Sequence, residues 1–248
     1  MDRVTERLTA AGCVAPEAEA RELIDSAPDA DALEALVARR ELGEPLEWLT
    51  GRAWFCDHDV SIRPGVFVPR AQTEELARRA AAVLPPAGRA LDLCTGSGAI
   101  AVHLLATVPD AVVVGVDVDA GAAACARANG IAALVAEVER VPLRARSFDV
   151  VTAVAPYVPT GDLRLLPADV QRHEPRLALD GGDDGLEVVR RVVTAAARML
   201  RPGGWLLVEV GGGQDDLLGP DLAAAGFEPA RPWRDEEGDL RGLAARSG

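Results

Sequence analysis

Ala90-Leu91-Asp92-Leu93 runs straight into Cys94-Thr95-Gly96-Ser97-Gly98, and an apolar helical stretch from Ile100 to Thr107 follows at once. Strand, glycine turn and helix in that order constrain the fold more than any other feature of the chain. The backbone has to turn sharply and lie against a ligand, which is possible only where no Cβ stands in the way. That arrangement belongs to α/β proteins with a parallel sheet, and the neighbouring segments agree with it. A helix is expected over residues 74–84. Apolar strands are expected at Val112-Val113-Val114-Gly115-Val116, near Ala133-Leu134-Val135 and from Phe148 to Val154. Helices are expected around 122–129 and 186–200, the latter stopping at Arg201-Pro202-Gly203-Gly204. Trp205 to Val210 then forms another strand. Continuous apolar strands separated by helices imply a sheet covered on both faces. Phe227 to Trp233 and Leu240 to Ala244, joined by the acidic turn Asp235-Glu236-Glu237-Gly238, are expected to close it as an antiparallel hairpin.

The first 50 residues read differently. Val4, Leu8 and Ala11, then Ala18, Leu23 and Ile24, then Leu33, Leu36 and Val37 fall at helical spacing, punctuated by Pro16 and Pro28. From Arg52 to Val68 the pattern becomes short extended pieces. The division that follows is a small helical unit with a hairpin linker over 1–65 and a catalytic unit over 66–248.

Gly96-x-Gly98-x-x-Ala101 alone suits a nicotinamide dinucleotide as well as S-adenosyl-L-methionine. Two carboxylates favour the second. Asp92 lies inside the strand before the loop, where an acid faces an amino group well and repels a pyrophosphate. Asp117 closes the next strand, where a carboxylate accepts both ribose hydroxyls. Glu137, just beyond the third strand, is placed beside the adenine or else is a solvated loop acid, and Val138 packs on the adenine face.

Arginine supplies every one of the 26 basic residues, against 39 acids, for a net charge of −13. A nucleic-acid substrate calls for a basic surface against phosphates, and no lysine cluster or long arginine run is present. No segment approaches the ~20 apolar residues of a membrane span, and the N-terminus lacks a signal-peptide core. A cytoplasmic protein without nucleic-acid or membrane partners is the expectation. The four cysteines and three histidines form no metal-ligand spacing.

Further blocks carry a resemblance over nearly the whole chain. They are Gly43-Glu44-Pro45-Leu46-Glu47-Trp48-Leu49-Thr50-Gly51, Val66-Phe67-Val68-Pro69-Arg70 with Thr73-Glu74, the run from Asp92 to Ala101, Glu174-Pro175, and Ala178 to Gly182 with Asp184-Gly185-Leu186. Together they resemble the HemK-type protein-(glutamine-N5) methyltransferases, most closely an actinobacterial-type paralogous branch. The resemblance implies a class I adenosylmethionine-dependent methyltransferase fold with a seven-stranded Rossmann-like sheet. It also implies a helical N-terminal domain that docks a protein substrate such as a release factor.

The family's acceptor motif is Asn-Pro-Pro-Tyr, and the residues here are Val154-Ala155-Pro156-Tyr157. An amide nitrogen is a poor nucleophile. In the family, the asparagine oxygen and the first proline's carbonyl orient it by accepting its N–H protons, and the tyrosine supplies an aromatic wall. Val154 accepts no hydrogen bond, while the Ala155 carbonyl and the Tyr157 ring survive. Three readings stay open: a different acceptor such as an amine, carboxylate or other small molecule; weakened glutamine methylation; or a cofactor-binding role without transfer.

Arg70 either contacts the cofactor's carboxylate or anchors its loop. Thr73 and Glu74 read as a helix start. Glu209 stands at a carboxyl strand edge, with a structural role favoured, and His173 reads as a loop histidine rather than a base. The acidic Asp180–Asp184 stretch is expected to be a surface loop near the acceptor opening.

Overall fold

The computed structural model describes residues 1–248. Three helices open the chain: α1 (Asp2–Ala10), α2 (Pro16–Ser26) and α3 (Ala30–Glu41). Leu8, Ala20, Leu23 and Val37, all fully buried, form a small apolar cluster among them, with Leu49 at its edge. The Asp29 carboxylate starts α3 by accepting the Ala32 amide at 2.8 Å. A short helix, α4 (Leu46–Thr50), falls within the Gly-Glu-Pro-Leu block and ends the helical stretch expected over the first 50 residues.

The expected hairpin follows as β1 (Arg52–Phe55) and β2 (His58–Ser61), paired antiparallel. Its inward residues Ala53, Phe55 and Val60 join the large cluster that also holds Leu76, Ala80, Ile100 and Leu104. In packing terms the hairpin belongs with the sheet and its helices rather than with α1–α3.

The rest is α5 (Glu74–Val83), β3 (Arg89–Leu93), α6 (Ala99–Thr107), β4 (Val112–Asp117), α7 (Ala120–Ala128), β5 (Ala132–Val135), β6 (Phe148–Ala153), α8 (Ala168–His173), α9 (Glu187–Met199), β7 (Leu200–Val208), α10 (Gln214–Ala224), β8 (Arg231–Arg234) and β9 (Leu240–Arg246). Seven strands pair in the order β5-β4-β3-β6-β7-β9-β8. β3 to β7 run parallel and β9 is antiparallel to both neighbours. The parallel sheet expected from the apolar runs is therefore present, with the seven strands that the resemblance implies.

Three details differ from expectation. Arg201–Gly204 continues β7 instead of ending a helix in a loop, because the terminal residues supply partners: the Gly203 amide donates to the Ser247 carbonyl, and the Ser247 amide donates to Gly204. Phe227 makes only an isolated bridge to Ser247, so β8 is shorter than the apolar pattern suggests. α10 has no sequence counterpart in the expectation, since Gly219 and Pro220 lie inside it.

β3 is central and buried at four of its five positions. From β3 the chain steps outward through β4 to β5, then crosses back to β6 on the other side. Ligands in such sheets bind at that reversal, beyond the carboxyl ends of the strands. No helix is long and apolar enough to cross a membrane.

Candidate active site

The carboxyl ends of β3, β4 and β6 open into a cavity of about 320 Å³, within the size range of small-ligand sites. Cys94, Gly96 and Gly98 all adopt positive φ (55°, 56° and 82°), which turns the chain out of β3 and into α6. The two glycines are needed for different reasons. A Cβ on Gly98 would lie 3.0 Å from Ile131 and 3.1 Å from Ala126, so both would have to give way, and at φ 82° a side chain is strained as well. A Cβ on Gly96 would meet nothing within 4 Å and would project into space that the cavity occupies.

Cys94, Thr95, Gly96, Ser97, Asp117, Glu137, Val138, Val154 and Pro156 line this space, and Asp92, Gly98, Arg70, Ala155 and Tyr157 do not. The loop is held at its rim by Asp117. One carboxylate oxygen accepts the Gly96 amide at 2.9 Å and the other accepts the Asp119 amide at 2.9 Å. Burial pushes the Asp117 carboxyl above its ordinary pKa.

Asp92 lies beneath the loop, 1% exposed. Its oxygens accept the Thr95 hydroxyl at 2.6 Å and the Thr152 hydroxyl at 2.7 Å. Burial raises its pKa to about 6, against those two hydrogen bonds. Arg70 is paired with Glu174 and stacks its guanidinium over the Phe67 ring, 4.9 Å from the centroid. Of the two roles open to it, loop anchoring matches this geometry. Glu137 is exposed and pairs with Arg140 at 3.5 Å.

Phe55, Phe67, Pro69, Pro175 and Leu177 join Val154 in the apolar part of the cavity wall. Sequence reasoning named none of these as lining residues. The charges on the lining are Asp117, Asp119, Glu137 and Glu139 against Arg191 alone, a field that favours a cationic ligand.

Tyr157 is caged behind Pro156. Its hydroxyl donates to Glu209 Oε1 at 2.9 Å and accepts from Gln72 Nε2 at 3.0 Å. Gln72 also donates to Glu209 Oε1 at 3.0 Å, and the Thr73 hydroxyl donates to Glu209 Oε2 at 2.7 Å. At the backbone end, the buried Gln214 side chain donates to the Tyr157 carbonyl at 2.9 Å. Glu209, 3% exposed, is thus tied to the acceptor motif. Gln72 and Gln214 carried no signal in the sequence, because a glutamine beside a helix start matches no chemical motif.

His173 ends α8 beside Trp48, its ring nitrogen 3.4 Å from the Leu42 carbonyl, and does not line the cavity. The Asp180–Asp184 stretch is a brace rather than a free surface loop. Asp180 bridges to Val158 and accepts the Thr160 hydroxyl, while Asp184 pairs with Arg190. No group of three or more His, Cys, Asp or Glu side chains is placed to hold a metal ion.

Comparison with known proteins agrees with this geometry. A methyltransferase domain family matches residues 90–173. A release factor glutamine methyltransferase of Geobacter sulfurreducens is 40% identical over 222 residues, covering 88% of this chain and 78% of that one. The chain belongs to the release factor glutamine methyltransferase family. It is accordingly an adenosylmethionine-dependent methyltransferase related to the protein-(glutamine-N5) enzymes. Another family relative is the 4-amino-L-phenylalanine/4-methylamino-L-phenylalanine methyltransferase of Streptomyces pristinaespiralis, 40% identical over 187 residues, 71% of this chain and 64% of that one. Among solved structures, the ribosomal protein L11 methylase of Lactobacillus delbrueckii subsp. bulgaricus shares the fold, with TM-score 0.55 and 19% identity over 76% of this chain and 86% of that one.

Proposed function

We propose that this family member methylates an amine nitrogen of a small acceptor rather than a glutamine amide. The observation that carries the reading is Val154, a cavity-wall side chain with no hydrogen-bond acceptor, set among apolar neighbours. An amide needs both N–H groups held to keep its lone pair available, and one of the two acceptors is missing here. An amine lone pair is not delocalised into a carbonyl and needs less orientation. The Streptomyces pristinaespiralis relative, whose name states an amine acceptor, supports the same conclusion.

The residues present fit the cofactor. Gly96 leaves free the space that a Cβ would fill, and the Asp117 carboxylate stands at the same wall. Asp117 would hold the ribose hydroxyls, Val138 would pack on the adenine with Glu137 at its amino group, and the Cys94–Gly98 backbone would carry the methionine end. Asp92 acts from beneath by fixing Thr95. When bound, adenosylmethionine would supply an electrophilic methyl carbon: the amine nitrogen would take the methyl, the S–C bonding pair would stay on sulfur, and the N–H proton would pass to solvent as the product leaves the cavity. Val154 and Phe67 present apolar wall to the reacting nitrogen.

Adenosylhomocysteine formation tests this across alkyl and aryl amines, carboxylates, a Gly-Gly-Gln peptide and intact release factor. Turnover of an amine with none of the peptide or release factor supports the reading, and the reverse pattern overturns it. The second reading, glutamine methylation at reduced rate, is favoured by the identity to the Geobacter sulfurreducens enzyme.

A further inference from the structure

Glu209 is a buried carboxylate whose direct partners are all neutral: the Tyr157 and Thr73 hydroxyls and the Gln72 amide. The one guanidinium nearby, Arg241, reaches the network only through the Gln72 oxygen, at 3.2 Å, and is itself paired with Asp235. A buried negative charge without a direct counter-charge is costly unless something cationic comes to meet it.

The network is joined to the cavity on two sides. Thr73 lines the cavity, and Pro156, which also lines it, directly precedes Tyr157. A tyrosine hydroxyl has one proton and two lone pairs. In Tyr157 the proton goes to Glu209 and one lone pair to Gln72, so one lone pair is left.

Resting on the amine reading, we propose that Glu209 is a positioning residue acting through Tyr157. It locks the Tyr157 phenol in place behind Pro156, and so holds the Pro156 wall against which the acceptor lies. Its charge also opposes the positive charge that builds on the nitrogen as the N–C bond forms. The site thereby selects nitrogens that become cationic over amides, which remain neutral after losing a proton.

Tyr157 is the only tyrosine of the chain, so its ultraviolet difference absorbance reports this network without any assay of turnover. Burial, and then the charge and hydrogen bond of Glu209, hold the phenol pKa well above the ordinary tyrosine range. Glu209→Gln keeps the size and removes the charge. The expected result is a phenol that ionises at lower pH than in the wild type, with the cofactor Kd unchanged. Amine methylation should fall about 10–100-fold in kcat rather than KM, the range for residues that orient a reacting group from behind. Tyr157→Phe, which removes only the hydroxyl, should show a similar loss. The double variant should then be no slower than Tyr157→Phe alone, since one residue acts through the other.

An unchanged phenol titration in Glu209→Gln, or losses that multiply in the double variant, would overturn the proposal. Absence of amine turnover by the wild type would overturn the amine reading and the charge-opposing role together. The titration would still decide whether Glu209 governs Tyr157.

Discussion

The Asp117 carboxylate reaches back from the end of β4 to the Gly96 amide, 2.9 Å away, so the residue assigned to the ribose also sets the shape of the glycine loop. Ligand contact and loop geometry are therefore coupled at one side chain. Asp117→Ala should weaken adenosylmethionine binding by about 1–3 kcal/mol, the scale for losing a charged hydrogen-bond partner. Titration calorimetry measures this directly, and an unchanged affinity would place the ribose elsewhere.

Val154 is half-buried at the cavity wall, and asparagine is close to it in volume. Val154→Asn should fold normally and restore the second N–H acceptor. Methylation of a Gly-Gly-Gln peptide or intact release factor should rise, on the order of 10²–10³ if the lost contact was worth what one positioned donor is worth elsewhere. Wild-type peptide activity that the substitution does not raise would show that residue 154 does not set the acceptor.

Gly185 has φ +75°, and a Cβ there would overlap the Tyr157 carbonyl and the Gln214 amide. Gly185→Ala should cost about 1–3 kcal/mol for overpacking and a further ~1–2 kcal/mol for the left-handed backbone. Chemical denaturation gives the value, and an unshifted midpoint would mean the Tyr157 backbone yields freely.

Asp92 has its folded pKa raised from 3.8 to about 6 by burial. The sign follows from linkage: the native state holds this proton more tightly than the unfolded chain, so its contribution is full below the unfolded pKa and is lost as pH rises through the folded one. Between those two values stability should fall by on the order of 3 kcal/mol from this group. Asp92→Asn should flatten that segment of the stability-versus-pH curve, as followed by denaturant unfolding at a series of pH values. An equally steep decline in the variant would assign it to other carboxylates.

The parallel core was readable because β3, β4 and β6 are buried on both faces and show as near-continuous apolar runs. The loop from Cys94 to Gly98 was readable because its glycines answer a local backbone demand. The Tyr157 cage was not. Gln72 and Glu209 lie 85 and 52 residues from Tyr157, and only the sheet order brings them together. The apolar acceptor wall was hidden for the same reason, with Phe67 and Leu177 arriving from segments on either side of the central strands. α10 was missed because Gly219 and Pro220 break the helical pattern in its middle, and its hold on the sheet comes from Leu218 and Leu222, which are buried in the core.

The Trp48 indole donates to the Val66 carbonyl at 2.9 Å, and Trp48 is buried in the same apolar cluster as Phe55, Leu76 and Ile100. Val66 in turn lines the cavity. A cut at residue 65 would therefore divide the chain without separating two solids: it would strip Phe55 from the cavity wall and leave Leu76 and Ile100 facing water. The helices α1–α3 are joined to that body through α4, whose Leu49 packs into their small cluster while its Trp48 sits in the large one. A graft of α1–α3 from a relative would therefore have to bring α4 with it, and with α4 the Trp48 anchor of the cavity's Val66 edge.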